Sequence, residues 1–115
     1  MKLRFRKNSL RLRVNQLEVE RLAAGYELAE TISFAGGATL EYILIPSAVA
    51  ARAAEFDGKA IRVTAPLNDW ARGGEIGFYF EVEPGLQVAV EKDLECVDGG
   101  EEERDPYAYP RGKTC

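Results

Sequence analysis

Five basic residues near the start of the chain have a spacing that places them on one surface. Lys2, Arg4 and Arg6 alternate with apolar residues, and so do Arg11 and Arg13. Side chains two positions apart on a β-strand share a face, so two paired strands bring all five cations together. A basic β-ribbon can bind phosphates or another anion, and each phosphate contact adds salt-sensitive affinity. These five residues are the predicted ligand-binding residues.

The same cations have a structural alternative, in which they pair with carboxylates on neighbouring strands. The predicted partners are Glu41, Glu81, Glu83 and Glu91, and an opposite-charge pair across strands contributes about 0.2–1 kcal/mol. A nucleic-acid ligand is disfavoured because the net charge of the chain is −4 and the hairpin lacks an exposed aromatic platform for stacking bases. The sequence therefore favours the structural role over the ligand site.

Carboxylates two residues apart form a second group with chemical potential. Glu81/Glu83 and Glu91/Asp93 lie on predicted strands, where residues two positions apart share a face, so these pairs could bind a divalent cation or act as acid and base. Exposed strand faces have the same composition, so we predict neither a metal site nor catalytic residues from them. The pairs are Glu18/Glu20, Glu81/Glu83 and Glu91/Asp93.

The chain contains no histidine, which removes Ser-His-Asp and Cys-His catalysis and histidine metal sites. Its two cysteines, Cys96 and Cys115, have no metal-ligand spacing and give no disulfide framework. Cys96 could be a thiol activated by Lys92, although a buried small apolar residue is the more common role. A Cys96–Cys115 disulfide is not expected in a reducing compartment. No cofactor is predicted.

Alternating apolar residues predict the strands that position these groups. A helix follows Asn15, because Asn15 and Glu18 have capping-box spacing, and Gly25 can end it. A second helix starts near Pro66. Asp57-Gly58 predicts a two-residue type I′ turn, and this turn implies a strand over residues 51–56, whose alanines would suit a helix equally well. Strands are predicted over residues 2–6, 9–14, 28–34, 39–45, 51–56, 60–64, 76–83 and 86–93.

The order of these elements predicts an α+β fold with mostly antiparallel β-structure, about eight strands and two short helices. The unit β-β-α-β-β occurs twice, in pseudo-repeats over about 1–46 and 51–94, which indicates a duplication that forms a barrel or a sandwich. Residues 1–97 are predicted to form one α+β domain. Residues 98–115 are predicted to form an acidic, loosely ordered tail.

Two stretches of the chain resemble a family of short uncharacterised bacterial proteins. One runs from Met1-Lys2-Leu3-Arg4-Phe5-Arg6 through Asn8-Ser9-Leu10-Arg11-Leu12-Arg13-Val14 to Glu18-Val19. The other is Val90-Glu91-Lys92-Asp93-Leu94-Glu95-Cys96, where relatives carry phenylalanine at the position of Leu94. The resemblance implies a shared fold. It implies no activity, because the family is a domain of unknown function.

Composition bounds the function without identifying it. The 115 residues are 46% hydrophobic and 30% charged, as in an ordinary globular domain, and no stretch is apolar enough to be a membrane span or a signal peptide. We expect a cytoplasmic protein of unknown oligomeric state. Its predicted function is a small non-enzymatic binding or interaction module for a protein or an anionic ligand. The alternatives are an anion or nucleic-acid binder and a carboxylate- and metal-dependent enzyme.

Overall fold

The computed structural model describes residues 1–93 and folds them into two four-stranded sheets and two α-helices. The predicted cysteine chemistry and the predicted tail lie outside these residues. In chain order the elements are β1 (Lys2–Arg6), β2 (Ser9–Val14), α1 (Gln16–Ala23), β3 (Leu28–Ser33), β4 (Thr39–Pro46), β5 (Ala53–Phe56), β6 (Ala60–Ala65), α2 (Asn68–Arg72), β7 (Gly77–Val82) and β8 (Leu86–Lys92), with a 3₁₀ turn at Ala35–Gly37.

Each sheet combines one hairpin from the first half of the chain with one from the second half. The strand orders are β1-β2-β8-β7 and β3-β4-β6-β5. Hairpin partners are antiparallel, but the central pairs β2–β8 and β4–β6 are parallel. The expectation of antiparallel β-structure is therefore met by the hairpins and corrected at both sheet centres. The two sheets do not close into a barrel, since each has two end strands.

Local capping explains where α1 begins. Asn15 Oδ1 accepts a hydrogen bond from the Glu18 amide at 2.9 Å, and Glu18 Oε1 accepts one from the Asn15 amide at 2.9 Å. This reciprocal pair satisfies two amides that the first helical turn leaves unbonded. Gly25 follows the helix with φ of 89°, a conformation that glycine adopts without the Cβ clash of other residues. The predicted capping box is confirmed.

The turn between β5 and β6 differs from the prediction. Phe56 pairs with Ile61, so four residues separate the paired positions instead of two. Asp57 Oδ1 accepts hydrogen bonds from the amides of Lys59 and Ala60 at 2.9 and 2.8 Å. The aspartate side chain thus replaces a backbone acceptor and makes a longer loop. The type I′ prediction is wrong, because Gly58 has φ of 94° but Asp57 does not have the positive φ that this turn requires at both central residues.

The core lies between the sheets and extends onto both helices. In each sheet the two central strands are the second strands of their hairpins, and they run parallel to each other. The two hairpin turns that precede them therefore lie at the same end of the sheet. The helices follow β2 and β6 at the opposite end, where they contact each other. Within residues 1–93 no helix is long and apolar enough to cross a membrane. The most deeply buried side chains are Leu12, Val14, Leu22, Leu44, Val63, Leu67, Val88 and Val90.

Candidate functional site

The register of the first hairpin brings the five predicted cations to one face. Lys2 lies opposite Arg13, Arg4 lies opposite Arg11, and Arg6 lies opposite Ser9. Directly opposed side chains in an antiparallel pair have Cβ atoms about 4.5–5.5 Å apart. We call this surface the basic face and define it as Lys2, Arg4, Arg6, Arg11 and Arg13.

One carboxylate serves two of these arginines. Glu91 on β8 lies beside Arg13 in the parallel ladder, and its Oε1 is 3.3 Å from Arg11 Nε and 3.5 Å from Arg13 Nε. The Tyr79 hydroxyl donates to Glu91 Oε2 at 2.7 Å. This hydrogen bond, with partial burial and the glutamate charge, raises the pKa of Tyr79. Glu91 is therefore held from two sides.

A glycine makes room for this tyrosine. Gly77 lies opposite Glu91 on the neighbouring strand. A Cβ at Gly77 would come within 2.2 Å of the Tyr79 hydroxyl oxygen, which is far inside van der Waals contact. The Tyr79 ring therefore lies over Gly77 and directs its hydroxyl to Glu91, an arrangement that no larger residue permits.

The remaining cations of the basic face differ in their pairing. Lys2 Nζ is 2.7 Å from Asp93 Oδ2, and the Asp93 side chain is buried. Arg4 and Arg6 are exposed, and within residues 1–93 neither forms an ion pair. Of the four glutamates predicted as partners, Glu91 forms ion pairs with the basic face, whereas Glu81 accepts a hydrogen bond from Gln87. The basic face therefore contains three ion-paired cations, Lys2, Arg11 and Arg13, and two exposed cations without an ion pair in this part of the chain. One of the latter, Arg4, lies directly opposite Arg11.

Lys92 lies between Glu91 and Asp93 in sequence, and its side chain points to the opposite face of the sheet. Its Nζ donates to the Gly73 carbonyl at 2.8 Å and lies 5.1 Å from the centroid of the Trp70 ring. Burial lowers the pKa of Lys92, which the nearby Glu75 charge partly opposes. The segment Glu91–Asp93 thus connects β8 to the first hairpin on one face of the sheet and to α2 on the other.

The α-amino group of Met1 lies between two glutamates that the sequence did not single out. Its nitrogen contacts Glu18 Oε2 and is 3.0 Å from Glu30 Oε2. The Tyr42 hydroxyl contacts both the Met1 carbonyl oxygen at 3.1 Å and Glu30 Oε2 at 3.2 Å. Burial and the Glu30 charge raise the pKa of Tyr42 to about 12. This cluster joins the start of β1 to the other sheet.

The pH dependence of stability follows from this cluster. Burial lowers the pKa of the Met1 amine, but hydrogen bonds to Glu18 and Glu30 outweigh it and raise the pKa above 8.0. The folded state therefore binds this proton more tightly than the unfolded chain, so the stabilisation is complete below pH 8 and is lost as pH rises through the folded-state pKa. We expect the stability difference between the parent chain and Glu30→Gln to shrink above pH 8 in urea titrations. A difference that stays constant up to pH 10 would contradict this.

A cavity of about 260 Å³ opens at the turn end of the sheets. Two phenylalanines line it from different sheets, Phe5 at 61% exposure and Phe56 at 64%. The rest of the lining is half apolar and half polar, and its polar residues are Lys7, Asn8, Ser9 and Glu55. We call this cavity the Phe5–Phe56 cleft. The sequence assigned Phe5 to the apolar side of its strand and predicted no exposed aromatic platform on the hairpin, an expectation that the exposure of Phe5 corrects. No local signal indicated that Phe56, 51 positions later, lines the same cavity. The other lining residues are Leu10, Ala54, Ile61 and Leu86.

The predicted carboxylate pairs do not converge on a metal site in the part of the chain that the structure describes. No group of three or more Cys, Asp or Glu residues there is placed to hold a metal ion. Glu91 and Asp93 are each ion-paired with the basic face, and Glu18 caps α1.

Comparison with known proteins gives one match. No curated protein matches the chain, and no solved structure does. A family model, described as a family of unknown function (DUF7009), covers residues 1–112. The predicted resemblance to an uncharacterised family is confirmed in that form, and the chain belongs to this family of unknown function.

Proposed function

We propose that this chain is a small non-enzymatic binding module that holds an anionic ligand on the basic face. The observation that carries the proposal is the contrast within that face. Arg11 and Arg13 share one carboxylate, whereas exposed Arg4 and Arg6 have no ion-pair partner within residues 1–93. Cations without a local counter-charge attract anions most strongly, because no carboxylate must be displaced.

The arrangement favours an extended anionic ligand over a single small anion. Arg4 and Arg6 stand two positions apart on β1, and a strand rises about 3.3 Å per residue, so their Cα atoms are about 6.6 Å apart. This separation matches that of carboxylates on alternate residues of an extended peptide, which rises by the same amount per residue. A carboxylate-dependent enzyme is less well supported, because Glu91 and Asp93 are committed to ion pairs.

Retention on immobilised heparin tests the proposal. We expect the parent chain to be retained at low salt and the double variant Arg4→Ala/Arg6→Ala to elute much earlier, with the log–log salt slope reduced by about two, one unit for each lost contact. The matched control is Arg21→Ala/Lys59→Ala, which removes the same charge from exposed positions outside the basic face. Equal weakening by both variants, or no retention of the parent chain, would refute the proposal.

We also propose that the two halves of the chain are a duplication in which the hairpins have exchanged sheets. The backbone bonds that flank the two parallel ladders support this. The Gln87 amide donates to the Asn8 carbonyl at 3.0 Å, and the Glu41 amide donates to the Lys59 carbonyl at 3.0 Å. At the other end of the two ladders, the Asp93 amide donates to the Val14 carbonyl and the Ser47 amide donates to the Ala65 carbonyl, both at 2.8 Å. In each pair of bonds the two acceptor residues are 51 positions apart in sequence and the two donor residues are 46 positions apart.

This duplication aligns the first hairpin with the third at an offset of 51, so that Leu10 corresponds to Ile61 and Phe5 to Phe56. Both phenylalanines line the cleft, as related positions around an approximate two-fold axis should. Family sequences test the proposal: positions 2–14 and 53–65 should show matching apolar patterns at this offset across members. Better agreement at unrelated offsets would contradict it.

A further inference from the structure

The outer edge of β1 is an unpaired backbone edge within residues 1–93. β1 is an end strand of its sheet. The carbonyls of Asn8 and Val14 accept hydrogen bonds from the amides of Gln87 and Asp93. The even-numbered residues from Asn8 to Val14 therefore direct their backbone groups to β8. The odd-numbered residues of β2 direct theirs to β1. The N–H and C=O groups of Leu3 and Phe5 therefore point away from β2.

The two faces of β1 differ in chemistry beside that edge. On one face Arg4 and Arg6 are exposed without an acidic partner in the described part of the chain. On the other face Phe5 is 61% exposed and opens onto the Phe5–Phe56 cleft. A strand that pairs with β1 would place its own alternate side chains on these two faces.

We propose that β1 binds an extended acidic peptide by strand addition, with carboxylates against Arg4 and Arg6 and the intervening apolar residues against the Phe5–Phe56 cleft. This inference rests on the proposed anion-binding function and adds the partner class. Backbone hydrogen bonds to Leu3 and Phe5 supply affinity, and the alternation of acidic and apolar side chains supplies specificity. The segment that fits reads Glu-Val-Glu-Val-Glu or an equivalent alternation.

Charge selects this partner over a second copy of the chain. Two β1 strands that paired edge to edge would bring Lys2, Arg4 and Arg6 of one copy beside those of the other. Like charges on directly opposed strand positions are destabilising, and charged edge strands are a common protection against self-association. The same cations that discourage self-pairing attract a strand with carboxylates at period two.

Fluorescence anisotropy with synthetic peptides on the full chain tests this inference. The probe is a fluorescein-labelled Gly-Glu-Val-Glu-Val-Glu-Gly peptide, with Gly-Lys-Val-Lys-Val-Lys-Gly as the charge control. A third peptide repeats the acidic sequence with both valine amides N-methylated, and a fourth with all three glutamate amides N-methylated. Only one of these two sets of amides faces β1 in a given register. We expect the acidic peptide to bind, the lysine peptide not to bind, and one N-methylated peptide to bind at least about 10-fold more weakly.

The protein variants complete the test. Arg4→Ala/Arg6→Ala should weaken the acidic peptide about 10-fold or more, whereas Arg21→Ala/Lys59→Ala should leave it unchanged. Equal binding of all acidic peptides would overturn strand addition, even if heparin retention still supported anion binding. Heparin retention without any peptide binding would also overturn it. The acidic peptide could also bind only to the variant Glu101→Gln/Glu102→Gln/Glu103→Gln and not to the parent chain. That result would overturn the inference and would identify the chain's own acidic segment as the occupant of this edge.

Discussion

Replacing Glu91 by glutamine lowers the free energy of unfolding by about 1–2 kcal/mol. The carboxylate contacts Arg11, Arg13 and Tyr79 at once, and only 15% of its side chain is exposed. Hydrogen bonds to charged groups contribute about 1.5–3 kcal/mol when they are well shielded, but both arginines are partly exposed, which reduces the value. Glutamine keeps the shape of the side chain and one acceptor oxygen, so the loss of stability measures the contribution of the negative charge.

The same variant strengthens heparin retention, because two more arginines lose their carboxylate. Stability and anion affinity thus change in opposite directions, which general damage to the fold cannot produce. The matched control is Glu83→Gln, an exposed position that removes the same charge and should change neither property by much. Weaker heparin retention by Glu91→Gln would contradict the assigned role of Glu91.

Glu18→Ala is expected to lower the free energy of unfolding by about 2 kcal/mol. Glu18 accepts the Asn15 amide in the capping box and also contacts the Met1 amine. Loss of an N-terminal capping interaction costs about 0.5–2 kcal/mol, and loss of the partly buried amine contact adds to it. Urea unfolding followed by the fluorescence of Trp70, the single tryptophan, reports the change.

The control for Glu18 lies two residues away on the same helix. Glu20 is exposed, so Glu20→Ala removes an equal charge and gives an equal gain in helix propensity. We expect its unfolding free energy to stay within about 0.5 kcal/mol of the parent value. Equal destabilisation by both variants would show that helix charge, rather than the two contacts of Glu18, sets the stability of α1.

Local patterns were sufficient to predict the secondary structure of the described residues. Period-two alternation predicted most strand positions, because one face of each sheet is buried and the other is not. The strand β5 was predicted from the turn signal at Asp57-Gly58 instead, since its alanines would suit a helix equally well. The capping box at Asn15 and Glu18 identified the start of α1, because its bonds join residues three positions apart. The loop at Asp57 was missed because a side-chain acceptor replaced the tight turn that Asp-Gly usually favours.

Pairing between the halves could not be predicted, because it depends on contacts between distant segments. The parallel ladder of β2 with β8 joins residues about 78 positions apart, and no local signal encodes its direction. For the same reason the sequence grouped the five cations correctly but did not single out Glu91 among four possible partners. The Phe5–Phe56 cleft depends on two hairpins from opposite halves and was missed entirely.

The exposed cations Arg4 and Arg6 are the part of the basic face to which we assign the proposed ligand binding. The sequence favoured the structural role, and the ion pairs of Lys2, Arg11 and Arg13 agree with it. Arg4 and Arg6 do not follow that pattern within residues 1–93. We propose that the two roles divide between the two strands of the hairpin, because the ion-paired arginines lie on β2 whereas Arg4 and Arg6 lie on the edge strand β1.

The most direct test of this division is an NMR titration of the ¹⁵N-labelled full chain with a heparin tetrasaccharide, observed at the arginine Nε–H signals. We predict that Arg4 and Arg6 shift first and most, that Arg11 and Arg13 shift less because Glu91 competes, and that Arg21 and Arg72 remain in place. Shifts spread evenly over all arginines, or concentrated outside the first hairpin, would contradict the assignment of the binding surface to β1.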